Sequence, residues 1–229
     1  TNTVSNILTW TYYTTPLTIT SLSSNLLESG GITNLDKIRM FFSLSEKIDN
    51  IENTTFLIGT QNVEIDGTSK IIATSANGKD YSIDMIVKNT NTEENPSIFS
   101  IKTDQTLSVN KNGSILRKTI DPSSANLSFN WVYDNTNPTM TIFSSTQNNN
   151  STTNISGIDL TFESTKDISN GSFTSNDIVV LNNLGTISNF SGSGKTYNAR
   201  LTPSNDISSG TIVVKVNPGA FTDTIGNLY

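Results

Sequence analysis

Three aspartates and one asparagine in the second half of the chain could bind a metal ion. Asp134, Asp177, Asp223 and Asn227 carry carboxylate and amide oxygens, which are the hard ligands that Ca²⁺ takes in sites of about six to eight oxygens. Clustered carboxylates repel one another unless a cation compensates their charge. The sequence therefore predicts a calcium site, provided that the fold brings these four residues together.

Two other interpretations of the same residues stay open. Lys166 is expected near them, and its ammonium group could neutralise one carboxylate. An aspartate in a turn or at the start of a strand also accepts local hydrogen bonds without any ion. The corresponding positions of the first half are Tyr13, Thr55 and Val109. That half lacks all three acids together, as expected if they share one function.

The composition excludes most catalytic chemistry. The chain of 229 residues has no histidine and no cysteine, which excludes Ser-His-Asp and Cys-His mechanisms, disulfides, and imidazole or thiolate metal sites. Nothing in the sequence places two carboxylates across a cleft as a glycosidase requires. We therefore expect no enzyme activity and no catalytic or cofactor-binding residues.

Charge and hydropathy exclude two further partners. The net charge of −6 argues against binding to nucleic acid, whose phosphates require a basic surface. No apolar run approaches the roughly 18 residues of a membrane-spanning helix, so we expect no membrane insertion.

The segment GSGKT at 192–196 partly matches a phosphate-binding loop. That motif requires a glycine five residues before Gly194, but position 189 is an asparagine. The segment also lies between two predicted strands rather than between a strand and a helix. We therefore interpret it as the turn of a β-hairpin.

The elements that must position the four candidate ligands are strands. Short runs rich in Val, Ile, Thr, Phe and Tyr are separated by Asn, Gly, Ser and Asp clusters at intervals of about 8–15 residues. This pattern is typical of a β-sandwich and not of alternating strands and helices. The predicted strands cover residues 17–20, 38–44, 81–87, 98–101, 158–162, 178–181, 197–201 and 211–216.

The order of these strands repeats once along the chain. LTWTYYTTPLTITSLSS at 8–24 matches FNWVYDNTNPTMTIFSS at 129–145, so Trp10 corresponds to Trp131. Later in each half, SANGKDYSIDM matches SGSGKTYNARL, and SIFSIK at 97–102 matches TIVVKV at 211–216. The repeat predicts two domains, residues 11–132 and 133–229, with residues 1–10 as a strand of a preceding or neighbouring unit.

A Greek-key path for the second domain places the candidate ligands. Its strands run alternately away from and toward the preceding linker. Asp134, Asp177 and Asp223 then lie at the end that faces the first domain. The tryptophans that precede each linker are expected to fill the domain junctions, with the indole N–H satisfied at the rim.

Four segments, FTSNDIVV, GTISNFSGSGKTY, LTPS and PGAFTDTIGN, carry a resemblance to a known family. With their surroundings, they make residues 138–229 similar to the bacterial-type Ig-like repeats of large surface adhesins and of some virus surface proteins. The first domain matches more loosely, mainly through its similarity to the second. The resemblance implies tandem Ig-like sandwiches of seven strands in an extracellular, cell-surface or virion-surface protein, with a mechanical or adhesive role. Related repeats hold Ca²⁺ between domains, which favours the calcium interpretation.

The second domain lacks a final strand in this pattern. The first domain supplies its own at about 125–131, and no strand pattern follows 211–216. Residues 1–10, TNTVSNILTW, resemble SSANLSFNW at 123–131 and so have the pattern of a final strand of another copy. Either the chain is part of a longer array, or residues 1–10 complete the second domain of a neighbouring molecule. They could also serve their own first domain.

These observations predict an all-β protein of two tandem Ig-like sandwiches that acts as a rod-like spacer in an adhesin, fibre or virion appendage. One alternative is a self-assembling filament subunit that donates residues 1–10 to the open edge of the next subunit. Another is a carbohydrate- or protein-binding module. The expected partners are neighbouring Ig-like repeats, or identical subunits bound through strand complementation.

Overall fold

The computed structural model describes residues 9, 11–49, 57–59, 62–88, 96–125, 127–205 and 209–229. The chain divides into two compact units. The first comprises Thr1–Gly31 and Leu35–Tyr133, and the second comprises Ile32–Asn34 and Asp134–Tyr229. The division after Tyr133 lies one residue from the boundary predicted from the repeat.

The strands, numbered along the chain, agree with the predicted pattern of short β-segments. The strands before Asp134 are β1 (Ile19–Ser24), β2 (Ile32–Thr33), β3 (Lys37–Leu44), β4 (Leu57–Gly59), β5 (Val63–Ile65), β6 (Ile72–Ala73), β7 (Asp80–Val87), β8 (Ser97–Ile101), β9 (Thr106–Lys111), β10 (Ser114–Thr119) and β11 (Ser128–Tyr133). Those that follow are β12 (Met140–Ser144), β13 (Ile158–Ser164), β14 (Ile178–Val180), β15 (Gly185–Ser193), β16 (Thr196–Pro203) and β17 (Val214–Val216).

The first unit is a sandwich of two antiparallel sheets. One sheet has the order β1-β3-β7-β5, with β6 also paired to β7, and the other contains β11-β8-β4. Strand β3 shows why these segments form half-buried strands, because Ile38, Met40, Phe42 and Leu44 alternate with more exposed residues. Their buried faces pack with Phe99 and Trp131 of the other sheet into one core.

A β-hairpin that the sequence reading did not predict separates β8 from β11 in the first unit. Strands β9 and β10 pair from Thr106 opposite Thr119 to Lys111 opposite Ser114. The two turn residues, Asn112 and Gly113, have φ values of 52° and 82°. Positive φ at both central positions is the requirement of a type I′ turn, and Asn-Gly is its preferred sequence.

The second unit has the same plan, with one large sheet and one small sheet. The large sheet has the order β12-β13-β16-β15, and the small sheet pairs β14 with β17, all antiparallel. These directions are those of the predicted Greek-key path. The segment GSGKT forms the β15–β16 hairpin turn, with Ser193 opposite Thr196, which confirms the hairpin interpretation.

The core of the second unit centres on Phe173, which lies between β13 and β14 in the chain. Its ring centroid is 5.2–5.8 Å from the centroids of four other aromatic rings, those of Phe162, Phe190, Tyr197 and Phe221. Edge-on and tilted arrangements at such distances are favourable for aromatic pairs. A loop residue therefore supplies the central side chain of this core.

Candidate functional site

Three of the four predicted ligands meet at one end of the second unit. Asp134 is the first residue after β11, whereas Asp223 and Asn227 belong to the loop that follows β17. Two isolated bridges hold this loop, one pairing Ile168 with Asp223 and the other Thr222 with Leu228. The Asn227 side-chain amide donates hydrogen bonds to the Asp223 carboxylate at 3.0 Å and to the Asp134 carbonyl oxygen at 2.9 Å.

The ammonium group of Lys166 lies between the two carboxylates. Its Nζ is 2.7 Å from Asp134 Oδ2 and 3.5 Å from Asp223 Oδ2. It also donates to the Thr136 carbonyl oxygen at 2.6 Å. Lys166 therefore supplies the positive charge that the two carboxylates require, which was one of the open interpretations of the sequence.

The Asp223 carboxylate is buried, and both of its oxygens accept hydrogen bonds. Asp223 is 2% exposed, and burying a carboxylate is costly unless its oxygens are hydrogen-bonded and its charge is compensated. Oδ1 accepts the backbone N–H groups of Ile225 at 3.1 Å and Asn227 at 2.8 Å. Oδ2 accepts the Asn227 amide and faces Lys166. This aspartate thus fixes the shape of the loop.

Asp134 is held in a similar way at the start of the unit. Its Oδ1 accepts the backbone N–H and the hydroxyl group of Thr136, and its Oδ2 accepts the Lys166 ammonium. Partial burial by itself raises the pKa of the Asp134 carboxyl, but the hydrogen bonds from Lys166 and Thr136 outweigh it and hold the pKa below its usual range. The carboxyl is therefore ionised at neutral pH.

Asp177 belongs to a separate local structure. It ends the 3₁₀ turn Ser175–Asp177, and its Oδ2 accepts the backbone N–H of Thr174 at 2.7 Å and the Thr174 hydroxyl at 2.9 Å. This is a capping box, in which the residue before the turn and the third residue of the turn satisfy each other's polar groups. Within the described part of the chain, no hydrogen bond or ion pair joins Asp177 to Asp134, Asp223 or Asn227.

This arrangement does not fit a calcium ion while Lys166 is in place. All four carboxylate oxygens of Asp134 and Asp223 already face protein donors, and a calcium site needs about six to eight oxygens free to coordinate. The described residues contain no group of three or more acidic side chains that could hold a metal. The calcium site stays a prediction, and binding would require the ammonium group to leave.

A cavity of about 210 Å³ borders the cluster. Its lining combines Lys166 and Lys195 with Asp134, Asp167 and Asp223, and no described aromatic side chain contributes to it. Sugar-binding sites generally present an aromatic face, because an aromatic ring gives a large apolar contact beside polar groups. The cavity therefore gives no support to the carbohydrate-binding alternative.

The first unit lacks this cluster at the corresponding positions. Tyr13 is 42% exposed and Val109 is 1% exposed, and Thr55 lies outside the described residues. The first unit has a different charged contact, in which Lys118 Nζ is 2.6 Å and Lys111 Nζ is 3.1 Å from Glu46 oxygens. The sequence repeat gave no indication of it, because both lysines belong to the unpredicted β9–β10 hairpin.

The position of Trp131 corrects the prediction of a junction plug. The side chain is fully buried, and within the described structure its Nε1 has no hydrogen-bond partner. The physical reason is the alternation along β11, which directs Phe129 and Trp131 into the core of the first unit. Trp10 lies outside the described residues.

The sheets of both units define the class of the protein. In each unit, an antiparallel sheet of four or five strands is accompanied by a smaller second sheet in Greek-key order, which is the plan of an immunoglobulin-like sandwich. Residues 134–228 match the model of a family described as bacterial Ig-like domain. This match covers nearly all of the second unit and agrees with the resemblance stated for residues 138–229.

The other comparisons add little to this assignment. No curated protein matches the chain. Among solved structures, the complex of Dpr2 Ig1-Ig2 with DIP-Theta Ig1-Ig3 is similar over 91% of this chain and 95% of that chain, with 9% identity and a TM-score of 0.23. A score this low carries no argument about function. No described helix has the length and apolar character needed to cross a membrane.

Proposed function

We propose that the chain is a non-catalytic structural segment of an extracellular adhesin, fibre or virion appendage, in which Ig-like units act as rod-like spacers. The observation that carries this proposal is the repetition of one strand plan in two consecutive units. In such arrays, stability is roughly the sum of the units and their interfaces, so length can be extended by adding copies.

The candidate site supports a structural role more than a chemical one. The carboxylates of Asp134 and Asp223 are occupied by Lys166, Asn227 and backbone donors. Carboxylates whose oxygens are all engaged in this way stabilise a loop. Bacterial Ig-like domains are also commonly extracellular, which supports a location on a cell or virion surface.

Small-angle X-ray scattering tests the rod-like arrangement directly. A single compact body of this length would have a radius of gyration of about 17 Å, and two bodies of half that length placed end to end would give about 22 Å. We expect the larger value at dilute concentration. A radius near the smaller value, unchanged by salt, would argue against a spacer.

A further inference from the structure

The small sheets of the two units differ by one strand. In the first unit, β8 lies between β4 and β11. In the second unit, β17 pairs with β14 on one side, and no described strand pairs with its other side. An unpaired strand edge presents backbone N–H and C=O groups that can accept another strand.

The hydrogen-bond register shows which groups β17 presents at this edge. The Leu181 N–H donates to the Val213 carbonyl oxygen at 3.0 Å, and Val179 lies opposite Lys215. Because antiparallel partners alternate between bonded and non-bonded pairs, Val213 and Lys215 point their backbone groups toward β14. The backbone N–H and C=O groups of Val214 and Val216 therefore point toward the open edge.

The first unit shows how such an edge is closed. The Ile101 N–H donates to the Leu127 carbonyl oxygen at 2.8 Å, and Phe99 lies opposite Phe129. Phe99 and Ile101 are buried and present their backbone groups to β11. Val214 and Val216 of β17 also present their backbone groups to this side, and their side chains belong to the core of their unit, Val216 as a buried member and Val214 as a partly buried one.

This correspondence corrects the predicted alignment of SIFSIK with TIVVKV by one residue. Phe99 matches Val214 and not Val213, because Val214 is partly buried and packs on the core whereas Val213 is 42% exposed. With this shift, Ser97 matches Ile212. The partner of Ser97 in the first unit is Trp131.

A segment of this chain has the sequence of the missing strand. Residues 1–10 align with the chain leading into β11, so Leu8 takes the place of Phe129, and Trp10 that of Trp131. Both would direct an apolar side chain inward at alternate positions, as β11 does. Thr9 corresponds to Asn130, which lies on the exposed face of β11.

We propose that the open edge of β17 binds residues 1–10 of a second copy of this chain as an antiparallel strand. Leu8 pairs with Val214, Trp10 with Ile212, and Thr9 with Val213. Main-chain hydrogen bonds provide the attachment, and the two apolar side chains specify the register. The proposal concerns the partner of one edge, and the spacer function does not depend on it.

Disulfide trapping tests this register, because the chain has no native cysteine. Two single-cysteine chains, Thr9→Cys and Val213→Cys, are mixed and oxidised, so a disulfide heterodimer must join different molecules. Non-bonded antiparallel pairs have Cα atoms about 4.5 Å apart, close enough for a disulfide. We expect the heterodimer to exceed both homodimers several-fold.

The matched control pairs Thr9→Cys with Lys215→Cys, which lies on the same face two residues out of register. Diagonal neighbours are about 7–8 Å apart, too far for a strain-free disulfide. We expect several-fold less heterodimer from this pair. Equal yields from the two mixtures, or homodimers alone, would overturn the proposal.

A second pair of variants tests the role of the side chains without cysteine chemistry. Leu8→Asp places a charge on the inward face of the donated strand, and Ile7→Asp places the same charge on the outward face. Light scattering should show particles larger than 24.8 kDa for the unchanged chain and for Ile7→Asp, and monomers for Leu8→Asp. Monomers of the unchanged chain at all concentrations would refute self-association, whereas an extended scattering profile would still support the spacer.

Discussion

The first unit closes its small sheet with β11, which brings Trp131 into the core. In the second unit, no described strand pairs with the outer side of β17, and the core is filled around Phe173. The buried apolar cluster of the first unit is also the larger of the two. One strand plan therefore tolerates different ways of filling the interior. The open edge of β17 and the smaller apolar cluster also imply that an added strand would stabilise the second unit more than the first.

The largest expected effect tests the central role of Phe173 in the second unit. Phe173→Ala removes a ring that contacts four other aromatic rings and leaves a cavity, so we expect a loss of about 3–5 kcal/mol in the free energy of unfolding. Calorimetry should show this loss in one of two transitions. Phe143→Ala is the control, because that ring is 46% exposed and its removal should cost little. Similar losses for both variants would contradict the assigned core.

The charged contact of the first unit should produce the next largest effect. Lys118→Met leaves Glu46 with one cation in place of two, and the Lys118 side chain is only 5% exposed. Losing a buried charged hydrogen bond costs about 1–3 kcal/mol. The exposed Lys88–Glu64 pair provides a matched comparison, and Lys88→Met should cost less than about 1 kcal/mol. Denaturant titration measures both losses, and an equal cost would show that Lys118 is not effectively buried.

The Lys166 cluster of the second unit should contribute somewhat less. Lys166→Met removes the cation between Asp134 and Asp223, and we expect a loss of about 1–2 kcal/mol, because Asp223 keeps its backbone donors. Millimolar Ca²⁺ should raise the melting temperature of this variant and leave that of the unchanged chain as it was. A rise in the unchanged chain, at constant ionic strength and absent with Mg²⁺, would establish the calcium site predicted from the sequence.

The smallest effect concerns acid stability in the first unit. The hydrogen bond from Lys37, followed by those from the Thr68 backbone and hydroxyl, lowers the pKa of the Asp66 carboxyl from 3.8 to about 2. A depressed pKa in the folded state stabilises the fold above the unfolded pKa, and this contribution is lost as the pH falls toward 2. Asp66→Asn should therefore be less stable than the unchanged chain at neutral pH.

In acid, the stabilities of Asp66→Asn and the unchanged chain should converge. The stability difference between Asp66→Asn and the unchanged chain should shrink between pH 4 and about 2, when measured by denaturant titration at each pH. Lys37→Met should follow the same profile, since it removes the first cause of the shift. A difference that is constant over this range would show that the pKa of Asp66 is not depressed.

Much of the fold could be predicted because strand patterns and turn residues are local signals. The predicted segments 38–44, 81–87 and 158–162 lie within β3, β7 and β13. The β9–β10 hairpin was missed although Asn112-Gly113 is a strong turn signal. The alignment of SIFSIK with the residues around β17 was wrong by one residue because it rested on residue types alone. The alternation of buried and exposed side chains fixes the register, and that alternation is defined only by the pairing of β17 with β14.

Part of the candidate site could be predicted, because the directions of the strands determine which residues lie at the same end of a sandwich. Asp134, Asp223 and Asn227 meet as expected. The capping role of Asp177 could also be recognised from the sequence, because Thr174 stands three residues before it, which is the spacing of a capping box. Lys166 was expected to neutralise one carboxylate, and that it contacts two depends on side-chain positions that spacing alone cannot specify.

The burial of Trp131 also provides an optical probe of one unit. The chain has two tryptophans, Trp10 and Trp131, and Trp131 lies in the core of the first unit. In a Trp10→Phe variant, tryptophan emission excited at long wavelength therefore reports the first unit alone. Unfolding of this unit can thus be followed optically, without a label, in a chain that contains both units.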